Sequence, residues 1–421
     1  MNKQAIILIL GLAGFTVMAD TWVVSPLLPA ISQDLGEGAA DAGIIITAYM
    51  ITFGIFQLIF GPLADRFGKK QIITSTMIFF TIATGLCAVG YSLGILALYR
   101  ALAGVFAASV MPISMALIGD TFPIEERQEA IGSFIGIAFL GQGLSMAIGG
   151  MLAYFWSWRG AFVLYAIFGI ISTTLLFTVG RKIPSIKNPK SEILTPYLGL
   201  LRKKNSLFIY LTVLFEGIMI LGSFSYIGAF ISEAYQFNFL QVGLIMTSFG
   251  IMTIIGGRLS GKITTRIGRK KLIIIGLGLA IISEFILFLT GNTLIMLIVG
   301  VALLGLGFIL AHSTLITIAT EFAPKSRATA MSLVAACFVS GGGIGTAIGG
   351  SLVKAHGYND LFLYYGIALI FLVLAAAVLI SDKFTKASYA RLIDAGTHGA
   401  ETGAKIEIDN TAMKQNKGEE I

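Results

Sequence analysis

The sequence predicts an all-α integral membrane protein: twelve transmembrane helices in two pseudo-symmetric six-helix bundles. Composition is the first reason. Of 421 residues, 56% are hydrophobic and 12% charged, where soluble chains average about 25% charged. The second is that apolar stretches long enough to cross a hydrocarbon core of about 30 Å recur from end to end. They are too long and continuous for barrel strands, and helices satisfy their own backbone groups in lipid. The third is a repeat offset by 200 residues. GPLADRFGKK at 61–70 returns as GKITTRIGRK at 261–270, aligning Gly61 with Gly261, Arg66 with Arg266, Gly68 with Gly268 and Lys70 with Lys270. Arg127 and Ala130 recur as Arg327 and Ala330, AIGG at 147–150 as AIGG at 347–350, and Phe162 as Phe362, without a gap. A repeat this long is a duplicated domain, not a solenoid unit.

The first six spans follow in order. Span 1, 5–30, is too long for a cleaved signal peptide, holds Asp20 and lacks a small-residue cleavage pattern. Span 2, 41–62, runs into the first repeat motif, and span 3, 72–91, leaves it after Lys70. Span 4, 93–116, carries Arg100; span 5, 128–152, is rich in glycine; span 6, 160–181, ends at Arg181. The second six are 206–231 with Glu216, 239–261 into the second motif, 271–290 with Glu284, 292–316 with His312, the glycine-rich 328–352, and 360–381. The expected domains are therefore 1–181, a linker at 182–205, 206–381, and a tail at 382–421 that is polar, mixed in charge and read as disordered. The linker region carries Pro184, Pro189, Pro196 and several basic residues. Leu194, Leu198 and Leu201 are spaced for a short surface helix, and a plain linker fits the same residues.

The formal net charge is +7, but its position excludes a nucleic-acid partner. All basic residues except Arg100, Arg159 and Lys354 fall on one side of this topology. That is the positive-inside bias, which places both termini in the cytoplasm, as in a bacterial cytoplasmic membrane. Cys87 and Cys337 lie inside spans, with no sign of a disulfide or metal site.

The motifs are more specific. GPLADRFGKK resembles the loop 2–3 motif of the major facilitator superfamily. Asp120, Pro123, Glu126, Arg127 and Ala130 in GDTFPIEERQEA resemble its loop 4–5 pattern, Arg100 and Gly104 in YRALAG its helix 4 pattern, and WSWRGAF at 156–162 its turn before helix 6. DTWVVSPLLPAISQDLG at 20–36 is similar to helix 1 of the twelve-helix drug:proton antiporter branch. The resemblance covers the whole helical region and implies two bundles rocking about a central site lined by helices 1, 4, 7 and 10. It also implies a latch between the halves in one access state, drawn from Gly61, Asp65, Arg66, Gly68, Lys69, Asp120 and Arg127. On physical grounds, Gly61 and Gly68 allow a tight turn and close helix approach. Asp65 suits a neighbouring helix N-terminus. Thr265 replaces it in the second copy. Helix 5 departs from the branch pattern, with Ser145 and Met146 where a Gly-Pro pair is usual.

Ionisable residues inside spans are functional candidates by default. At about 1.5 Å per residue, Glu216 falls near the midplane and Asp20 nearer the outer side. Both are expected to face the cavity and exchange protons, with Arg100 as the partner of Asp20 or a substrate contact. A satisfied interhelical hydrogen bond is the structural alternative for each. Thr212, Glu216, Ser223 and Tyr226 share one face at helical spacing. His312 reads as a lone, packed histidine, and Glu284 as an acid of a supporting helix. Tyr49, Phe53, Phe56, Gln57, Gln142, Ser223, Tyr226 and His312 are the expected substrate surface for a partly apolar ligand.

GGRLSGKI at 256–263 nearly spells a P-loop, but Ile263 replaces the magnesium-binding hydroxyl and no strand precedes it. No zinc motif or nucleophile elbow occurs, so neither an enzyme nor a cofactor is expected. The expected function is proton-coupled efflux of small amphipathic compounds, multidrug-type, by a monomer whose partners are substrate, protons and membrane lipids. The alternatives are a dedicated exporter of a sugar, nucleoside or siderophore, and then a lipid flippase or membrane sensor.

Overall fold

A computed structural model describes residues 3–185, 187, 195–289, 293–321 and 327–380. Among these, twelve helices are long and apolar enough to cross a membrane. Helices 1 to 6 are Lys3–Trp22, Ala39–Phe67, Lys69–Cys87, Leu93–Thr121, Glu129–Phe155 and Trp158–Lys182. Helices 7 to 12 are Ser206–Tyr235, Phe239–Ile267, Arg269–Leu289, Leu294–Thr320, Thr329–His356 and Tyr358–Leu379. Their order matches the twelve expected spans. The expected tail at 382–421 and, within the linker, residues 186 and 188–194 (Pro189 and Leu194 among them) lie outside the described residues.

Departures from regular helix follow from the sequence. Helix 1 continues past a break at Val23 as Val24–Leu35. Pro26 has no N–H to give the Trp22 carbonyl and its ring crowds that group, which interrupts the ladder there. Helix 4 is likewise divided into Leu93–Ala107 and Val110–Thr121, four residues before which Pro112 would have needed the Ala108 carbonyl. The two repeat motifs turn at Gly68 and Gly268, with φ of 105° and 86°. A side chain there would be strained, which is why the turn glycine is duplicated. Gly61 lies within helix 2, with the Tyr197 hydroxyl at an ordinary 3.6 Å from a methyl placed on it. The expected tight approach at that glycine does not occur.

Because successive helices cross in alternate directions, the turns at Gly68 and Gly268 share one side, the basic face. The halves meet mainly toward the other side, the far face. Helices 2 and 11, 5 and 8, and the outer parts of 1 and 7 are in contact there. Helix 5 meets helix 8 through Gly143 and Gly150 against Gly250 and Gly243; a methyl on Gly150 would sit 2.8 Å from the Gly243 Cα. Ser145 and Met146, at the expected Gly-Pro position, are buried beside this glycine seam. At the far face, Ser25 Oγ donates to the Phe224 carbonyl (2.6 Å) and Lys354 pairs with Asp41. On the basic face, Thr195–Leu201 is helical. It buries Tyr197 and Leu200 and leaves Leu198 half exposed; of the expected leucine stripe, Leu194 lies outside the described residues. Tyr197 bonds Ser332 of helix 11 and touches helix 2, bridging the halves.

Beyond the first span, Asp34 clamps the far-face end of the first half. It accepts from Arg159 and from Trp158 Nε1, while Arg159 also reaches the Gly90 carbonyl at 3.1 Å. The Arg159 hydrogen bond holds the Asp34 carboxyl below its ordinary 3.8. A lowered folded-state value gives a contribution that is full above the ordinary value and lost as pH falls through the lowered one. Thermal unfolding followed from about pH 6 to about pH 3 should therefore show a steeper acid-side loss in the wild type than in Asp34→Asn. Parallel curves would mean that the clamp contributes nothing.

Candidate functional site

Two equivalent pockets, one in each half, hold buried acids with different partners. In the first half, Asp20 of helix 1 sits just before the proline-induced break. Its Oδ2 accepts from Arg100 Nη1 of helix 4 at 2.7 Å, and its Oδ1 accepts from Thr84 Oγ1 of helix 3 at 3.4 Å. The two charged side chains are 0% and 1% exposed. Arg100 is stacked 3.9 Å from the Tyr49 ring centroid, and the Tyr49 hydroxyl is 2.7 Å from Thr21 Oγ1. The aromatic face adds attraction to a cation already withdrawn from water. Of the two sequence readings of Arg100, the structure has the ion pair.

The repeat places Glu284 at the position of Thr84 and Gly300 at that of Arg100. In this second pocket the roles are exchanged: Ser223 Oγ of helix 7 donates to Glu284 Oε1 of helix 9 at 2.6 Å. A methyl on Gly300 would meet Leu287 and Ile286 at 3.1 and 3.2 Å, so aliphatic groups fill the space that the arginine takes in the first half. Glu284 is fully buried, and its Oε2 has no hydrogen-bond partner among the described residues.

Glu216 belongs to a third arrangement, inside the second half. It ends the regular part of helix 7, and Gly217–Leu221 forms a π-helical turn. Here helices 7 and 11 touch backbone to backbone: a methyl on Gly222 would lie 2.8 Å from the Gly345 carbonyl carbon, and one on Gly341 would lie 3.1 Å from Ile218 N. A π-turn inserts one residue and rotates all that follows by about 100°. That splits the expected stripe on helix 7. Ser223 turns to Glu284, while Glu216 Oε2 meets His312 Nδ1 of helix 10 at 3.0 Å. His312 is thus partnered, not lone, and Glu216 Oε1 is buried without a partner among the described residues. His312 also lies against Phe338 (ring centroids 4.1 Å) and Phe308 (5.2 Å). From Phe308 the rings continue through Phe249 and Phe224 to Trp22 of the first half, at 5.9, 4.5 and 5.3 Å. Sequence reasoning missed this packed aromatic cluster because its rings come from five helices. Only the Phe308–His312 spacing of four showed in the sequence.

The remaining candidates divide. Tyr49, Ser223 and Tyr226 serve the bundle: Tyr49 underlies Arg100, Ser223 holds Glu284, and the Tyr226 hydroxyl donates to the Thr346 carbonyl at 2.9 Å. Phe53 is buried and Phe56 half-buried on helix 2. Gln57 Oε1 and both amide atoms of Gln142 are buried without partners among the described residues. In the loop cluster, Lys69 Nζ pairs with Asp65 and Asp120, both at 2.9 Å. Arg127 Nη2 reaches the Phe122 carbonyl at 3.4 Å, and Arg66 lies over the Phe67 ring. These contacts join loop 2–3 to the end of helix 4 within the first half. Among the described residues there is no group of three or more His, Cys, Asp or Glu able to hold a metal.

The family model described as Major Facilitator Superfamily matches residues 10–326 and again 217–402. An uncharacterized MFS-type transporter of Bacillus subtilis (strain 168), YceJ, is 28% identical over 353 residues, covering 81% of this chain and 87% of the relative. Quinolone resistance protein NorA of Staphylococcus aureus (strain MRSA252) is 33% identical over 153 residues, 36% of this chain and 39% of that protein. Among solved structures, the nucleoside transporter NupG superposes with a TM-score of 0.73 at 14% identity, covering 89% of this chain and all of that one. That likeness shows the fold.

The two pockets should respond differently to neutral amides. Asp20→Asn leaves Arg100 buried and unpaired, at a cost of about 3–5 kcal/mol. Glu284→Gln keeps an acceptor for Ser223 and strands no counter-charge, so it should cost a fraction of that. Thermal unfolding in detergent compares them, and equal losses would contradict the pairing described.

Proposed function

The chain belongs to the major facilitator superfamily, and on that premise we propose that this membrane transporter exports small amphipathic compounds in exchange for protons. The two six-helix halves rock about the aromatic cluster, with both termini in the cytoplasm and the basic face inward. The observation that carries the reading is Glu216 against His312 at one end of that cluster. Arginine keeps its proton at any physiological pH, and protonating Asp20 would leave that guanidinium buried without its counter-charge, so we read Asp20–Arg100 as a strut of the first half. A glutamate and a histidine can each gain or lose one, and the pair can therefore change net charge during the cycle. A ligand shifts the two access states only by its difference in affinity for them. Protons bound at Glu216–His312 supply one such difference, and an apolar ligand among Trp22, Phe224, Phe249, Phe308 and Phe338 supplies the other.

The drug-type reading is supported by the cluster of aromatic rings and by the likeness to a quinolone resistance protein. A dedicated metabolite exporter, the alternative, drew its support from Arg100 as a cavity charge for an anionic or polyhydroxylated substrate. Arg100 is instead sealed against Asp20 and Tyr49. In the closed-far-face arrangement the loop cluster around Lys69 is confined to the first half, and we assign its latch role to the opposite access state.

The test is transport of a fluorescent amphipathic cation in proteoliposomes under an imposed pH gradient. Losing the charge-assisted Glu216–His312 bond is worth about 1.5–3 kcal/mol, so Glu216→Gln should slow gradient-driven transport by roughly tenfold or more. Movement down the probe's own gradient should persist. Unchanged gradient-driven transport in the Asp20→Asn, Glu216→Gln double variant would overturn the proposal.

A further inference from the structure

Away from the aromatic cluster, a groove of about 540 Å³ opens on the outer surface between helices 3 and 6 at the basic face. Its lining is ordered by depth. From helix 3 come Lys70 and Gln71 in the first turn, Thr74 and Ser75 in the next, then Ile78. From helix 6 and the 3₁₀ turn after it come Arg181 at the mouth, with Phe177 and Leu176 deeper. Cations, hydroxyls and hydrocarbon thus succeed one another from the interface inward on both walls.

The dimensions fit one kind of occupant. At about 1.5 Å per residue, Lys70 to Ser75 spans about 7 Å, and Ile78 lies about 12 Å below Lys70. The polar layer of one leaflet, between the hydrocarbon boundary and water, is about 5–8 Å thick. Among the described residues no carboxylate lies within ion-pair distance of Lys70 or Arg181. Lys69 next door takes up both Asp65 and Asp120. Lys70 Nζ rests on the Arg181 carbonyl at 3.1 Å, which joins the two walls and leaves two donors on the ammonium. Thr74 and Ser75 donate to carbonyls one turn back, at 2.9 and 2.6 Å, the usual resting place of a helical hydroxyl with no other partner. Their oxygens remain at the groove.

The repeat supplies an internal comparison. Lys270 and Lys271 stand at the positions of Lys70 and Gln71, so the second half is at least as basic there. Ile274 and Ile275 replace Thr74 and Ser75. The hydroxyl layer belongs to the first half alone, which separates a built site from a generally positive face.

We propose that this groove binds the headgroup of an anionic phospholipid. The phosphate lies between Lys70 and Arg181, the glycerol and ester oxygens lie at the level of Thr74 and Ser75, and an acyl chain runs over Ile78, Leu176 and Phe177. The orientation under Proposed function puts the groove in the inner leaflet, where anionic lipids attract basic residues. Binding itself does not depend on transport or on proton coupling.

The experiment uses the purified full chain in a neutral detergent and follows thermal unfolding against added dioctanoyl phosphatidylglycerol, dioctanoyl phosphatidylcholine or inorganic phosphate. The anionic lipid should raise the melting temperature saturably, and the other two should not. Each basic residue near a membrane surface is worth about fivefold in affinity, so Lys70→Gln with Arg181→Gln should weaken the response by about 25-fold. Lys70→Arg with Arg181→Lys should restore it, which guards against a merely unstable variant. Lys270→Gln with Lys271→Gln should respond as the wild type. Four results would each overturn the proposal. They are an equal response to phosphatidylcholine, an equal response to inorganic phosphate alone, full binding by the first double variant, or an equal loss in the Lys270, Lys271 variant.

Discussion

A charge inside a membrane protein must be partnered, and the Asp20–Arg100 ion pair shows what that demands of the rest of the structure. Both groups are withdrawn from water, so each is tolerable only because the other is 2.7 Å away. Holding them there takes the end of a helix broken by Pro26, a hydroxyl from helix 3 and an aromatic face from helix 2. Helices 1 to 4 of the first half are thereby fixed around one point. Duplication gave the second half the same pocket, but without the arginine. There the acid moved to helix 9, the hydroxyl to helix 7, and aliphatic side chains took the space of the cation.

The second half differs again where helix 7 crosses helix 11. Glycines at 341, 342, 343 and 345 let the two backbones touch, and the π-turn at Gly217–Leu221 lies at that contact. The added residue decides which polar group faces which neighbour. Glu216 is left on the side of His312 and the aromatic rings, and Ser223 is carried round to Glu284. The rings reach the first half through Trp22, while Glu216 and His312 themselves lie within the second half. On the function proposed above, the first half's ion pair acts as a strut and the second half's pair as a switch, on scaffolds built from the same repeat.

Much of this was legible in the residues. Hydropathy gave the twelve spans because lipid leaves the backbone no other way to satisfy itself. The repeat located the turn glycines, and the rarity of charge in spans singled out Asp20, Arg100 and Glu216. What the sequence hid depended on register and on contacts between distant helices. The stripe from Thr212 to Tyr226 assumed 3.6 residues per turn throughout, and one π-turn was enough to send Ser223 elsewhere. His312 looked solitary because its partner is 96 residues away. Tyr49 looked like a cavity residue because aromatic spacing does not say whether a ring meets a ligand or an arginine. The linker helix was foreseen only by its leucine spacing, and its other face, where Tyr197 meets Ser332, gave no signal because that partner is distant in sequence.

The central claim is that Glu216–His312 sets the access state while Asp20–Arg100 does not. Its most direct test is the distance across the far face between spin labels at Glu37→Cys and Ala355→Cys, with Cys87 and Cys337 replaced by alanine. Moving between about pH 5 and about pH 8 should shift that distance distribution as the far face opens or closes. The shift should vanish in Glu216→Gln and survive in Asp20→Asn. A pH-dependent opening that is unchanged in Glu216→Gln, or abolished by Asp20→Asn alone, would contradict the account.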